Sequence, residues 1–493
     1  MLLTCTAFAA WHTVHWPLVG DASLMHYVAF LIDHGLKPYR DIADINMPGA
    51  WLTDYVVIHA LGGGPLAWRV FDLLLAGVAL ASMTAIAGPA SRLAGIAAGA
   101  TFTLVHLQDG LYEAGQRDLV IAVLVLAAYA ALFRATRNGS SAWMFTFGLT
   151  AGLAATIKPT FFLLGPILLL LLIVLSEKNV RRSLVPIGLL GWLTPLVGVA
   201  LLLWRMRSLP AFITTTRSML LYHSALARRP LGYLLLHSVS PLMPLLVLWV
   251  YILSRSLRRW LNWEGAALGV GLMTGLTSYI VQAKGYSYQR YPLIAILLLV
   301  IVIDYSRGVH GRGFYRAAGV LGFAYITLYI APVSAMKVRS FDWRNQQFGT
   351  LLEHDLEALG GRALSQHIQC IDTIEGCYDA LYNLRLVSST GYLYDEFIFG
   401  NPNNRIIATT QSGFWRALQA SPPRVIVVTD RLFPLGPDDY KKLQMWPLLK
   451  TFLSTNYEIC AEGNPARPVR WWSRVEAPNS FRLYCLAHSS RKK

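Results

Sequence analysis

Residues 184–204 read Leu184-Val185-Pro186-Ile187-Gly188-Leu189-Leu190-Gly191-Trp192-Leu193-Thr194-Pro195-Leu196-Val197-Gly198-Val199-Ala200-Leu201-Leu202-Leu203-Trp204, without one ionisable side chain. At about 1.5 Å per residue, about 20 helical residues cross the hydrocarbon core of a bilayer, so this stretch is long enough to span it. Comparable runs fall near 1–19, 66–88, 93–107, 118–133, 142–157, 160–175, 235–254, 265–281, 291–304 and 317–333, about eleven candidate spans in all. The chain as a whole agrees. Of its 493 residues 55% are hydrophobic and 14% charged, with mean hydropathy +0.44, where a soluble chain carries roughly 25% charge. A soluble enzyme and a disordered protein are both excluded.

The net charge of +16 invites a nucleic-acid reading, but in an apolar chain basic cytoplasmic loops explain it more simply. Residues 1–334 hold nearly all the apolar runs, and residues 335–493 read as an ordinary soluble domain. The expected architecture is an α-helical polytopic membrane module of about eleven transmembrane helices followed by a small α/β external domain. In that domain Arg424 to Asp430 reads as a buried strand, Asp438 to Leu453 as a helix and Tyr457 to Cys460 as another strand.

Alternate loops set the direction. One set carries Arg92, Arg134, Arg137, Lys178, Arg181, Arg182, Arg255, Arg258, Arg259, Arg307, Arg312 and Arg316 with almost no acids, and is cytoplasmic by the positive-inside rule. The other set mixes its bases with Asp21, Asp33, Asp41, Asp44, Asp54, Asp109, Glu113 and Asp118, and is external. The basic stretch 205–234 counts against this assignment; on the external side it would grip a lipid phosphate or cover the site as a flap. The apolar run Met1 to Ala10 is too short and uncharged for a signal peptide and reads as a first helix, with the true start of the chain left open. Cys370, Cys377, Cys460 and Cys485 all fall in the external domain, where an even count favours disulfides. Three pairings are possible, and sequence proximity alone favours Cys370 with Cys377 and Cys460 with Cys485. A zinc site is the rival, without a CxxC spacing to support it.

The first external loop is the most informative. Gly20-Asp21-Ala22-Ser23 leads into Leu24, Tyr27, Val28 and Leu31, whose i, i+3, i+4, i+7 spacing is that of an amphipathic interfacial helix ended by Gly35. Gly35-Leu36-Lys37-Pro38-Tyr39-Arg40-Asp41 and Asn46-Met47-Pro48-Gly49 follow, and Trp51 to Leu61 reads as a second interfacial helix. An acid just after the first span, an interfacial helix, a G-x-x-PYRD turn and an N-x-P-G helix entry together resemble the first external loop of GT-C glycosyltransferases. These polytopic enzymes use polyprenyl-phosphate-linked sugars, and they include protein O-mannosyltransferases and lipid A aminoarabinose transferases. Gly115-Gln116-Arg117-Asp118 resembles a GQRD element of bacterial members, and Lys158-Pro159-Thr160 falls at an external turn. Gln282-Ala283-Lys284-Gly285-Tyr286-Ser287-Tyr288-Gln289-Arg290-Tyr291-Pro292 is similar to a Q-x-KG-x-x-YH-x-x-P stretch, with Gln289 where that stretch has His.

The resemblance implies an enzyme of the bacterial inner membrane, acting on its periplasmic face. It would transfer a sugar from a polyprenyl-phosphate donor to a lipid, glycan or protein acceptor, with membrane lipids as further partners and no nucleic acid. Such a transfer needs a base for the acceptor hydroxyl and cations for the departing phosphate. Asp21 is the first candidate base and Asp41 the second, and a single base implies inversion. Lys284, Arg290, Lys158 and Arg117 are candidates for the donor phosphate; Asp44, Glu113, Tyr286 and Tyr288 are candidates for the sugar or acceptor. No cofactor is demanded, and the spacing contains no metal signature, although a divalent metal stays open. Each residue also has a plainer role: Asp21 or Ser23 as a helix N-cap, Asp41 and Asp44 as turn formers, Lys158 and Lys284 as headgroup anchors, Glu113, Arg117 and Asp118 as an ion cluster, the tyrosines as an aromatic belt. A lipid-linked-sugar flippase and an envelope glycan ligase or polymerase are the alternative functions. Transporters tend to place polar sites at mid-membrane within repeats, and here the polar residues gather at one edge.

Overall fold

A computed structural model describes residues 1–175, 183–340, 348–372, 376–434, 439–464 and 480–487. Helices dominate the first part: α1 (Leu2–Thr13), α2 (Asp21–Asp33), α3 (Pro48–Leu61), α4 (Pro65–Ala87), α5 (Arg92–Leu107), α6 (Arg117–Asn138), α7 (Ser141–Ile157) and α8 (Leu164–Leu175), then Val185–Arg205, Leu209–Ala225, Leu231–Val239, Met243–Trp260, Trp263–Gln282, Tyr291–Val309, Gly313–Tyr325 and Ala331–Arg339. Among the described residues five helices are each long and apolar enough to cross a membrane, and the bent pair Leu231–Val239 and Met243–Ser254 makes a sixth if counted as one span. α7 and Pro159–Leu175 are apolar but shorter. α1, with 12 residues, is shorter than the run expected near 1–19, whereas α5, with 16, matches the run near 93–107 and falls just under the usual length of a span. Lys178, Arg181 and Arg182 lie outside the described residues.

Close backbone approach joins several of these helices. Gly148 and Gly152 of α7 face Gly188, Trp192 and Pro195 of the Val185–Arg205 helix, and a Cβ at either glycine would meet that helix's backbone. Such small-xxx-small stripes are how apolar helices associate where lipid offers no hydrophobic gain. The N-x-P-G element works similarly. Pro48 starts α3, a position where its missing N–H costs nothing, and a Cβ at Gly49 would collide with the backbone of Thr156 and Ile157, immediately before Lys158.

The loop helix α2 begins and ends as the sequence pattern predicts, with Gly35 at φ 89° just beyond it. It differs in burial. Ser23 through Leu31 are all buried, not only the apolar stripe. One side packs on α3 and the other is covered by the C-terminal domain: Tyr27 donates to the Leu386 carbonyl (3.1 Å) and accepts from the Ser388 N–H (2.8 Å). Leu24, Tyr27 and Leu31 share one apolar core with Leu352, Leu381 and Phe397 of the external domain. Burying each such side chain contributes about 1.5–3 kcal/mol, so the two modules are docked by apolar contact as well as by hydrogen bonds.

The Ala331–Arg339 helix runs across the boundary expected at 334/335. Beyond it a four-stranded sheet is ordered β1 (Ile368–Ile371), β2 (Val425–Thr429), β4 (Phe481–Leu486), β3 (Tyr457–Gly463), parallel between β1 and β2 and antiparallel elsewhere. β2 and β3 fall where the sequence pattern places strands; the helix between them is Pro447–Asn456. Cys370 pairs with Cys377 and Cys460 with Cys485, as proximity suggests, and Cys5 is free.

Candidate functional site

The polar residues singled out in the sequence gather at one end of the helix bundle, under the C-terminal α/β domain. Arg117 is the first residue of α6, Lys158 follows α7, Lys284 follows the Trp263–Gln282 helix and Arg290 precedes the Tyr291–Val309 helix. Arg92, Arg137, Arg307 and Arg312 mark opposite ends of the same or neighbouring helices.

Asp21 is the first residue of α2, not its cap; Gly20 holds the cap position and neither Asp21 nor Ser23 makes a capping bond. A carboxylate in the first turn is favoured by the helix dipole. Its Oδ2 accepts from the Arg117 guanidinium (2.7 Å) and from Gln116 Nε2 (3.3 Å), while Oδ1 takes no hydrogen bond among the described residues. Both side chains of the pair remain about a quarter exposed, 24% for Asp21 and 26% for Arg117, so a substrate can reach them. Asp21 also lies within electrostatic range of Glu113, Lys158, Lys284, Tyr286 and Tyr288.

The loop carrying Glu113 and Arg117 is held from below. Gly115 sits at φ +64°, a conformation that other residues resist, and the Trp68 ring packs where a Cβ would be. Asp72 of α4 accepts from the Gly115 N–H (2.7 Å) and lies 2.9 Å from His106 Nε2, and Trp68 donates to the Ala114 carbonyl (2.9 Å). Glu113 is thereby buried among Asp109, Asp21 and Asp118. Burial first, then these carboxylates, holds it well above the usual carboxylate range, and its Oε2 has no partner among the described residues.

Lys158 donates to both oxygens of Asp118 (2.7 and 2.6 Å) and to Gln282 Oε1 (2.7 Å), and burial pulls it below its ordinary value. Arg290 is buried and turned toward Asp109 (3.4 Å), the His237 carbonyl and Ser240 Oγ, while Tyr291 also donates to Asp109 (3.1 Å). Lys284 donates to His223 Nε2 (2.6 Å). Burial brings it down to about 8. Tyr286 and Tyr288 stack with ring centroids 5.7 Å apart, and burial pushes Tyr286 up to about 12.

Asp41 and Asp44 stand apart from this group in what they do. Both Asp41 oxygens are engaged by Arg40 (2.9 and 2.8 Å), and Oδ2 also accepts from the Lys37 N–H (2.9 Å), which closes the turn and holds Asp41 below the usual carboxylate range. Asp44 is buried, accepts from Asn46 (2.7 Å) and Tyr394 (2.7 Å), and is raised by that burial; it ties the loop to the external domain, as does the Ala43 N–H to the Gly391 carbonyl (2.9 Å). The stretch 205–234, read from sequence as a phosphate grip or a flap, is largely the helices Leu209–Ala225 and Leu231–Val239. His223, Glu396, Tyr394 and Phe433 were not candidates from sequence. Three of them come from the external domain, where no local motif marks them. Among the described residues no group of three or more His, Cys, Asp or Glu is placed to hold a metal ion.

This arrangement of helices, sheet and polar edge defines a multi-pass membrane protein with a site under an attached α/β domain. No protein-family model matches the sequence, and no curated protein matches it either. Solved structures do. The chain is similar to ArnT from Cupriavidus metallidurans bound to undecaprenyl phosphate, with TM-score 0.60, 13% identity, and 98% of this chain and 96% of that one covered. It is also similar to the Archaeoglobus fulgidus oligosaccharyltransferase AglB in complex with an inhibitory peptide and a dolichol-phosphate, with TM-score 0.54, 11% identity, and 97% and 74% covered. The chain therefore shares the overall fold of these two structures, in line with the resemblance of its first external loop.

Proposed function

We propose that the chain is an integral membrane glycosyltransferase that moves a sugar from a polyprenyl-phosphate-linked donor to an envelope acceptor on the external face of the bacterial inner membrane. The observation that carries this is the Asp21 carboxylate, with one oxygen held by Arg117 and the other open, beside Lys284 at the same bundle edge. Asp21 Oδ1 takes the proton of the acceptor hydroxyl as that oxygen attacks the anomeric carbon from the face opposite the phosphate, which inverts the configuration. Arg117, by paired N–H donors, and Lys284, as a point charge, take up the charge growing on the departing phosphate. Lys158 and Arg290 act from behind, through Asp118 and Asp109. Asp41, with both oxygens engaged, leaves the base role to Asp21. Glu113, Tyr286 and Tyr288 form the wall against which the sugar lies, and Asp44 fixes the loop that carries Asp21. The lipid phosphates in the ArnT and AglB structures support a donor of this class.

The test is transfer by the purified full chain from a panel of radiolabelled polyprenyl-phosphate sugars. Loss of a general base lowers turnover about 10²–10⁴-fold, so Asp21→Asn should fall in that range while Asp41→Asn stays within a few-fold of wild type. Full transfer by Asp21→Asn removes the base assignment. Labelled lipid crossing liposomes with no donor consumed replaces the enzyme by a flippase.

A further inference from the structure

Lys284 does not stand alone at the bundle edge. Its Nζ donates to His223 Nε2 at 2.6 Å, and His223 Nδ1 lies 2.7 Å from Glu396 Oε1. For Nε2 to accept from an ammonium, the ring must carry its hydrogen on Nδ1, where it donates to Glu396. The carboxylate thus selects the tautomer that receives the lysine. The three residues come from three parts of the chain: the loop after the Trp263–Gln282 helix, the Leu209–Ala225 helix, and the short 3₁₀ turn Asp395–Phe397 of the external domain.

The external end of this chain is rigidly held. The Glu396 side chain is 1% exposed. Its neighbour Asp395 is paired with Lys442 (2.8 Å), itself wholly buried and donating also to the Ile371 and Arg431 carbonyls (3.1 and 2.8 Å) and to Thr429 Oγ1 (3.1 Å). A buried ammonium with four acceptors locks the turn that presents Glu396. The Phe433 ring stacks parallel to His223, with centroids 5.6 Å apart and planes 10° from parallel, and the buried Lys284 ammonium sits 5.0 Å from its centre. Two of the three Lys284 N–H bonds have no protein acceptor among the described residues.

We propose that Glu396 and Phe433 of the external domain, acting through and beside His223, hold Lys284 in place as a ligand for the donor's phosphate, so that the external domain completes the donor site. This rests on reading Lys284 as a donor-phosphate ligand. A four-carbon side chain left unheld would lose rotamer freedom on each binding event; held beforehand, it offers its two remaining N–H donors at no such cost. Glu396 and His223 are positioning residues, and neither need touch the sugar.

The experiment measures binding of undecaprenyl phosphate to the full chain in nanodiscs, alongside donor KM and kcat. Glu396→Ala and His223→Ala should each weaken lipid-phosphate binding about tenfold and lower kcat/KM for the donor by at least as much, because Lys284 meets the phosphate both when it is bound and as it departs. The double variant should be no weaker than either single one by more than about twofold, since both break one chain. Glu396→Gln, whose amide oxygen still accepts from Nδ1–H, should keep binding within about threefold of wild type, which a loss of general folding would not predict. If Glu396→Ala fails to fold, His223→Ala, on the membrane side of the contact, carries the comparison. Wild-type binding with unchanged affinity in His223→Ala and Glu396→Ala overturns the inference and leaves the proposed function standing. Absence of both lipid-phosphate binding and transfer in wild type overturns the function itself.

Discussion

Lys284 is the residue whose charge state matters most for a phosphate ligand. Burial draws it to about 8 from an ordinary 10.5, with Arg117 acting in the same direction and Glu396 and Asp21 opposing. It is cationic below about 8, so donor affinity should be steady there and fall as the pH rises through that value. Stability runs the other way. Between about 8 and 10.5 the unfolded chain binds this proton and the folded chain does not, so the contribution to stability grows with pH across that window. Donor KM and thermal midpoint against pH, compared between wild type and Lys284→Met, read both effects; parallel profiles for the two proteins would remove Lys284 as their source. At this scale much was legible in the sequence. Asp21, Arg117, Lys158 and Lys284 each stand beside a helix terminus, where a charged side chain in an apolar chain draws notice. Asp41 stands second to Asp21 in the sequence, which does not show that Arg40 and the Lys37 N–H occupy its oxygens. Glu396 was invisible because its role depends on a contact across 173 residues.

At the scale of elements, the site depends on loops that helices hold from behind. The pair of Asp118, at the start of α6, with Lys158, after α7, fixes two helix ends at once, with the side chains 1% and 17% exposed. Removing one partner leaves the other buried without its counter-charge. Asp118→Asn should therefore cost about 3–5 kcal/mol, and the double variant Asp118→Asn/Lys158→Met clearly less than the sum of the single ones. Thermal unfolding of the detergent-solubilised chain, compared across the cycle, checks it; additive losses would mean the pair is not coupled. Helix α2 shows where periodicity stops informing. Its apolar stripe at Leu24, Tyr27, Val28 and Leu31 marks one buried face, but nothing in the repeat reveals that a second layer, the external domain, covers the rest. The strands β2 and β3 were legible because each is a short apolar or alternating run between turn residues; β4 and its place between them follow from pairing that local pattern does not encode.

For the whole molecule, the basic residues and the polar site lie at opposite ends of the helices. Arg92, Arg137, Arg307 and Arg312 mark one end, and Arg117, Lys158, Lys284 and the external domain the other. By the positive-inside rule the expected placement of the site and the domain is outward. A membrane-impermeant thiol reagent should label a cysteine introduced at Ser412, exposed on the C-terminal domain, in intact cells, and should label one at Asn138, the exposed last residue of α6, only after the membrane is opened. The reverse pattern would invert the orientation and with it the face on which transfer is proposed. The length and hydropathy of the chain made a membrane module legible, whereas the number of spans was not, because short apolar helices such as α7 fall between a span and a buried segment.

The Cys370–Cys377 bridge joins the end of β1 to the start of the Cys377–Asn383 helix, and that helix packs directly on α2, whose first residue is Asp21. The scaffold around the acidic side chain is thus supported from outside by a covalent link that only an oxidising compartment installs. A chain whose thiols stay reduced lacks this one covalent tie between the sheet and the helix seated on α2, so completing that scaffold should call for an oxidant that the apolar helices do not need.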